Sequence, residues 1–257
     1  MDLGLDGKVV FITGGSRGIG QAIATLCAQE GADVAMCART SEDLDTTLAE
    51  LRIYGTRIFG QKADVTKAGE LEQCIQASAR ELGGIDILIN NVGGSQGKGL
   101  LGSTDAEWMG TFDLNIFHAV RASRAVIPYM QQRGGGSIVI ISSISGYKPS
   151  PSLQYGSAKA AEIFVSSALA LELGPLRIRV TTVCPGSIMF PGGGWARTQE
   201  SQPEKFQQFQ AEEFPLGRLG LPEEVARVVA FVASPAGNWI NGAIIPVDGA
   251  QQRPSLF

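Results

Sequence analysis

Tyr155 and Lys159 stand four residues apart in Gln154-Tyr155-Gly156-Ser157-Ala158-Lys159, within a run that reads as helix. That spacing places both side chains on one face, one turn apart. A lysine ammonium beside a phenol favours the phenolate, which lets the phenol give and take a proton near neutral pH. Surface helices produce many Tyr-x-x-x-Lys pairs by chance, so the pair gains meaning only from a second motif. That motif is Thr13-Gly14-Gly15-Ser16-Arg17-Gly18-Ile19-Gly20, between a β-branched run and an amphipathic stretch. A strand that turns sharply into a helix while a phosphate approaches its backbone favours glycine. The helix start then offers free N–H groups and the positive end of its dipole to a pyrophosphate.

A site selecting NAD usually carries an acidic residue at the end of the second strand, bonded to the ribose 2′-hydroxyl. Here that strand ends Met36-Cys37-Ala38-Arg39-Thr40, with arginine and no carboxylate. Arg17, in the glycine turn, can reach the same point, and two guanidiniums suit a 2′-phosphate. The cofactor expected is therefore NADP, with NAD possible. Asp64-Val65 closes the third strand, where a carboxylate could meet the adenine amino group or cap the next helix. Asn90-Asn91-Val92-Gly93 closes the fourth, beside the expected cofactor.

The elements that must hold these groups alternate along the chain. Short β-branched runs occupy 8–13, 33–38, 57–62, 85–90, 137–141, 178–183 and 243–247. Amphipathic stretches lie between them, among them 18–30, a run through Leu44 and Leu51, 67–82, and Leu153 to Leu173. Ile85 to Asn90 is nearly all apolar, as a strand buried on both faces should be. Strict alternation implies an α/β doubly wound parallel sheet, Rossmann-like, with helices on both sides. No linker or composition shift divides the 257 residues, so one domain is expected over 1–257. Pro185 to about Pro203 is irregular and too polar for a core element; a substrate lid is expected at about 187–214.

A net charge of −4 without basic runs gives no reason to expect nucleic acid or an anionic membrane. The start lacks the basic and apolar stretches of a signal peptide, and no window reaches a membrane span, so a cytoplasmic protein is expected. Cys27, Cys37, Cys74 and Cys184 are dispersed and read as free buried thiols. A single histidine, His118, argues against a histidine metal site or a Ser-His-Asp triad, and no metal is expected. His118 reads as structural.

Taken in order, TGGSRGIG at 13–20, NNVG at 90–93, Asn115, Ile141-Ser142-Ser143, Tyr155-x-x-x-Lys159 and Pro185-Gly186 resemble the short-chain dehydrogenase/reductase family, in its branch of single-domain chains, essentially end to end. The resemblance implies about seven strands and often a homotetramer built on the long helices, a dimer being the other form. It implies a catalytic tetrad of Asn115, Ser143, Tyr155 and Lys159. Tyr155 would be general acid in reduction and base in oxidation; Lys159 would assist it and bond the nicotinamide ribose. Ser143 would bond the substrate oxygen, and Asn115 would kink its helix and hold a water linking Lys159 to solvent. Ser143 fits S-x-x-G, though its spacing of twelve to Tyr155 leaves Ser142 as the alternative. The resemblance puts the cofactor against Gly14, Ser16, Arg17, Gly18, Ile19, Gly20, Arg39, Asp64, Val65, Asn91, Gly93, Tyr155, Lys159, Pro185, Gly186 and Ile188. The family often has threonine where this chain has Phe190, which leaves the carboxamide contact to Ile188 or Ser187.

The expected reaction is hydride transfer between the nicotinamide and the carbon of a carbonyl or secondary alcohol. The sequence is most similar to 3-oxoacyl-thioester reductases; sugar or polyol dehydrogenases and small-ketone reductases are the other substrate readings. A non-catalytic NADPH-binding regulator would show a damaged tetrad, and a scaffold would act through its oligomer surface. Pocket residues are expected from Gly94-Ser95-Gln96, from Tyr147 to Leu153, and from Met189, Phe190, Trp195, Arg197 and Phe206. The small residues along 153–173 permit close helix packing, either on the sheet or on another subunit. The tail from Gln251 to Phe257 could tuck into a neighbouring subunit.

Overall fold

The computed structural model describes residues 1–254. Seven parallel strands form one sheet: β1 (Val9–Thr13), β2 (Asp33–Ala38), β3 (Ile58–Lys62), β4 (Ile87–Asn90), β5 (Gly136–Ile141), β6 (Ile178–Pro185) and β7 (Ile244–Val247). Their spatial order is β3-β2-β1-β4-β5-β6-β7. The helices between them are α1 (Gly18–Gln29), α2 (Ser41–Leu51), α3 (Glu70–Leu82), α4 (Asp105–Phe112), α5 (His118–Gln132), α6 (Leu153–Leu173), α7 (Gly194–Ser201), α8 (Pro203–Glu213) and α9 (Pro222–Ala233).

Alternation along the strands divides the interior into two layers. Val10 and Ile12 of β1, Val34 and Met36 of β2, and Val139 and Ile141 of β5 join α1, α2 and α9 in one core. Val9 and Phe11, Ala35 and Cys37, and Ile138 and Ile140 turn the other way, toward α3, α5 and α6. Every residue of β1 is buried, which accounts for its unbroken apolar run. The chain order reverses where β1 lies between β2 and β4, and a crevice opens there at the carboxyl ends of the strands.

The segment expected to be irregular holds more structure than its composition suggested. Helix α7 lies within it, and Met189 and Trp195 pack with Phe206, Phe209, Phe214 and Leu219 in a third apolar cluster. Trp195 stacks on Phe209 with ring centres 4.9 Å apart. These aromatics stabilise α7 and α8 against each other, so the region is a small packed unit beside the sheet. All four cysteines are free and buried. Among the described residues no helix is long and apolar enough to cross a membrane.

Candidate active site

The glycine turn between β1 and α1 is held by its neighbours. Gly14 and Gly18 have φ of +68° and +55°, which L side chains rarely adopt. The Gly14 N–H donates to the Cys37 carbonyl at 2.9 Å, tying the turn to β2. Asn91 donates from its side-chain amide to the carbonyls of Thr13 (3.1 Å) and Gly14 (2.9 Å). The buried Thr13 hydroxyl accepts from the backbone of Asn91 and Val92. Asn91 therefore shapes the turn as well as lining the cleft. Gly20 packs so closely that a Cβ there would lie 2.1 Å from the Gly14 oxygen.

The turn opens onto a cleft of about 870 Å³. Of the residues expected at the cofactor, Gly14, Ser16, Arg17, Gly18, Ile19, Arg39, Val65, Asn91, Gly93 and Tyr155 line it. Arg17, from the glycine turn, and Arg39, just after β2, both line it, without an ion-pair partner among the described residues. Gly20, Asp64, Pro185, Gly186 and Ile188 do not line it. The Asp64 carboxylate accepts from the Thr66 N–H at 3.0 Å and hydroxyl at 2.7 Å, bracing its own loop. Partial burial pushes that carboxyl up, but the Thr66 bonds and the charges of Arg39 and Lys67 outweigh it and leave it below its usual value. Gly186 is required by the C-terminal segment: a Cβ there would sit 2.7 Å from Gln251 Oε1. Gln251 accepts from the Ser187 N–H and donates to its hydroxyl, so Ser187 has both groups engaged inside the protein. Phe190 lines the cleft and lays its ring against Gly18, whereas Met189, Trp195 and Phe206 belong to the third cluster.

At the other end the tetrad residues converge from three places: the π segment holding Asn115, the turn after β5 holding Ser143, and α6 holding Tyr155 and Lys159. Tyr155 is half-buried on the cleft wall, and Lys159 Nζ lies 5.6 Å from the centre of its ring. Lys159 itself is 2% exposed and donates to the Ile141 carbonyl at 3.0 Å. Gly93 passes between: a Cβ there would be 2.9 Å from both Asn115 Oδ1 and Lys159 Nζ. Asn115 falls in a five-residue π-helical widening, Asp113–Phe117, that joins α4 to α5. Such widenings recur at functional sites and re-aim a side chain. The Asn115 amide donates to the carbonyls of Gly94 and Thr111, both at 2.7 Å, and accepts from the Gly94 N–H at 3.2 Å. The structural counterpart of the expected kink is thus a π turn locked to the end of β4.

The two adjacent serines differ. Ser142 is buried, with its hydroxyl donating to the Lys159 carbonyl at 2.8 Å. Ser143 is less buried, and its oxygen accepts from the Ser145 N–H at 3.1 Å. Ser95, Ser145, Ser150 and Ser152 carry hydroxyls along the cleft toward Arg197 and Pro254. His118 is fully buried, with Nε2 3.5 Å from the Thr13 hydroxyl. Burial, with the Lys159 charge adding to it, pushes His118 down to about 3, so it is neutral and structural.

Sequence reasoning missed Thr13, Gln251 and the buried Glu162. The first two give no local signal, because their partners lie far along the chain. Glu162 had one: a lone acid among small and apolar residues, three positions after Lys159. Of the tail expected to dock on a neighbour, residues 255–257 lie outside those described; within the rest, Gln251 is buried in its own chain and Pro254 lines its own cleft.

A parallel sheet whose switch-point crevice carries a glycine turn and a tyrosine-lysine wall belongs to the nicotinamide-dependent oxidoreductases. The sequence model described as short chain dehydrogenase matches residues 8–199. The chain belongs to that family and is an oxidoreductase of the short-chain dehydrogenase/reductase class. It is 34% identical over 246 residues to a 3-oxoacyl-[acyl-carrier-protein] reductase of Thermotoga maritima, covering 95% of this chain and 98% of that one. The solved L-sorbose reductase of Gluconobacter frateurii, in complex with NADPH and L-sorbose, superposes with a TM-score of 0.93 at 32% identity over 98% of this chain and 99% of the other. A 7α-hydroxysteroid dehydrogenase complexed with NADH and 7-oxo glycochenodeoxycholic acid gives a TM-score of 0.92 at 32% identity, covering 100% and 98%.

Proposed function

We propose that the chain is an NADP-preferring reductase of a ketone, or the corresponding alcohol dehydrogenase, with NAD as the weaker cofactor. The observation that carries the reading is Tyr155 on the cleft wall with the Lys159 ammonium 5.6 Å from its ring centre. The glycine turn fits a dinucleotide: Gly14 and Gly18 have positive φ and line the cleft with Ser16 and Ile19 at the start of α1. Arg17 and Arg39 would pair with a 2′-phosphate at the β2 end. The dinucleotide, when bound, supplies or accepts the hydride.

The remaining work falls to the chain's own groups. Tyr155 Oη gives its proton to the substrate oxygen in reduction and takes it back in oxidation. The Ser143 hydroxyl donates to that oxygen as charge develops on it. Lys159 supplies positive charge beside the phenol, and Asn115 keeps the end of β4 clear of it through Gly93 and Gly94. The segment at about 187–214, with α7 and α8, would close over the substrate.

The substrate reading we favour is a 3-oxoacyl thioester or similar ketone, on the likeness to 3-oxoacyl-carrier reductases. A sugar or polyol ketone is the second reading, favoured by four serine hydroxyls along the cleft leading to Arg197. A homotetramer is proposed from the apolar stripe that α6 presents: Phe164 and Leu171, 75% and 82% exposed, lie two turns apart on one face. Location in the cytoplasm belongs to the same proposal.

The test is NADPH oxidation followed by absorbance with acetoacetyl-CoA, ketoses and simple ketones, in parallel with NADH. Turnover of at least one ketone is expected, and Tyr155→Phe should lower it by about two orders of magnitude or more. A Tyr155→Phe variant as fast as the parent on its best substrate would end the reading.

A further inference from the structure

Glu162 follows Lys159 by three residues on α6 and is 1% exposed. Its carboxylate lies 2.9 and 3.0 Å from Lys159 Nζ. An ammonium has three protons to donate. The Glu162 carboxylate and the Ile141 carbonyl take two of them, and the Tyr155 ring centre lies 5.6 Å from the same nitrogen. Ser142 is aligned from the neighbouring strand end, with a hydroxyl that interacts with Glu162 and donates to the Lys159 carbonyl. The carboxylate is therefore built into the rear of the proposed acid–base pair.

We propose that Glu162 is a positioning residue: its carboxylate keeps the buried Lys159 charged and holds the ammonium between the Ile141 carbonyl and the Tyr155 ring. The proposal rests on the reading of Tyr155 as proton donor. A lysine this deeply buried loses its proton readily unless a counter-charge is close. Burial pushes the Lys159 ammonium down, and the charge and hydrogen bond of Glu162, with Tyr155 and Cys184 adding to them, together leave it above its ordinary value. Burial also pushes the Glu162 carboxyl up, against the pull of Lys159.

The groups facing this pair from other elements are neutral near pH 7. His118, from α5, sits at about 3 through burial and the Lys159 charge. Cys184, from β6, is pushed up to about 12, chiefly by burial, with Asp248 adding from the C-terminal segment. Lys159 and Glu162 are then the charged groups packed behind the phenol. Removing the carboxylate removes a charge that favours the protonated form of both the phenol and the amine. The pair then yields its first proton at lower pH, whichever of the two gives it up.

Reduction needs a protonated phenol and a charged lysine. In Glu162→Gln the alkaline limb of kcat/KM for NADPH-dependent reduction should move down by about one pH unit or more, the scale of one charge a few ångströms away at an effective dielectric near 20. Glu162→Asp keeps the charge and should restore most of the parent profile. Two readouts do not depend on turnover. The tyrosinate absorbance of Tyr155, isolated by difference from Tyr155→Phe, reports the phenol. The ε-carbon resonance of Lys159 in lysine-labelled protein, assigned with Lys159→Met, reports the amine; in the parent chain it should titrate no lower than an ordinary exposed lysine of the same protein.

At least one of these transitions should fall in Glu162→Gln. If both stay in place, or if the parent Lys159 titrates below the ordinary exposed lysines, the inference is wrong. Should Glu162→Gln not fold, the parent lysine measurement decides alone. Absence of ketone reduction with shifted titrations would remove the proposed function and leave the charge coupling. Intact reduction with unmoved titrations would remove Glu162 alone.

Discussion

Replacing Gly20 by alanine places a methyl carbon 2.1 Å from the Gly14 carbonyl oxygen and 2.6 Å from Asn91 Nδ2. Neither neighbour is a flexible tip. The carbonyl belongs to the turn itself, and the amide is fixed by its bonds to Thr13 and Gly14. A carbon needs more than 3 Å from either atom, so the turn must move by about 1 Å. Overpacking of this kind costs about 1–3 kcal/mol, and disturbing two Asn91 hydrogen bonds adds about 1 kcal/mol each. The sum is about 3–5 kcal/mol. For a chain of this size each kcal/mol moves Tm by about 2–4 °C, so Gly20→Ala should melt roughly 6–20 °C below the parent. The moved turn should also weaken NADPH binding, read by nucleotide fluorescence titration, by tenfold or more on the same scale. Gly194→Ala is the control for stability: a Cβ there meets nothing within 4 Å. Its Tm should match the parent. If Gly20→Ala also matched the parent in both measurements, the account of how the turn is held would be wrong.

The other expected outcomes concern single groups. Arg39→Asp should shift the ratio of NADPH to NADH affinity toward NADH by tenfold or more, by loss of one charge-assisted contact and addition of a repelling acid; equal ratios in both proteins would remove Arg39 from cofactor choice. Ser143→Ala should lower kcat by roughly a hundredfold, whereas Ser142→Ala should chiefly cost about 1 kcal/mol of stability through its bond to Lys159; the reverse pattern would make Ser142 the substrate-facing serine. His118 has a folded value of about 3 against an ordinary 6.5, so its contribution is complete above pH 6.5 and lost as pH falls toward 3. That loss is at most about 4–5 kcal/mol, and urea unfolding should show His118→Gln losing less stability than the parent between pH 7 and 4. Phe164→Glu with Leu171→Glu should convert a tetramer into smaller species by light scattering, and a parent chain that runs as a monomer would end the proposal.

Sequence period carried most of the sheet. Asp33–Ala38 and Leu153–Leu173 have the bounds their patterns gave, because β-branched runs and small-residue helical spacing are local properties. Motifs whose chemistry is written in one stretch were legible too: the glycine turn, Arg39, and Tyr155 with Lys159. What could not be read depends on partners distant in the chain. Gln251 closes on Ser187 from 64 residues away, which no local pattern announces. The aromatic residues around Trp195 sit in a segment rich in glycine and proline, whose composition hides a cluster formed only when α7 and α8 fold together. The π turn at Asn115 leaves the helical spacing almost unchanged, so its signature is lost among ordinary helix residues. Asp64, expected to meet the adenine or to cap the next helix, shows how a local bond adds to such a reading: its oxygen accepts from Thr66 two residues on.

The strand order explains why groups so far apart in sequence meet. With β1 between β2 and β4, the ends of three strands deliver the glycine turn, Arg39 and Gly93 to one crevice. β5 runs next to β4, so Ser142 and Ser143 emerge beside Gly93, and α6 returns across them carrying Tyr155, Lys159 and Glu162. The glycine turn and Arg39 thus hang from the carboxyl ends of β1 and β2, Lys159 and Glu162 come from α6, and Gly194 and Arg197 of α7 stand on the cleft wall. A change of substrate can then come from the serines, Phe190 and Arg197 without disturbing Lys159, whose anchors lie behind it in the protein interior. Variation at Glu162 has the opposite reach: it touches no part of the cleft wall, yet it alters the charge felt by the one phenol on which proton transfer depends.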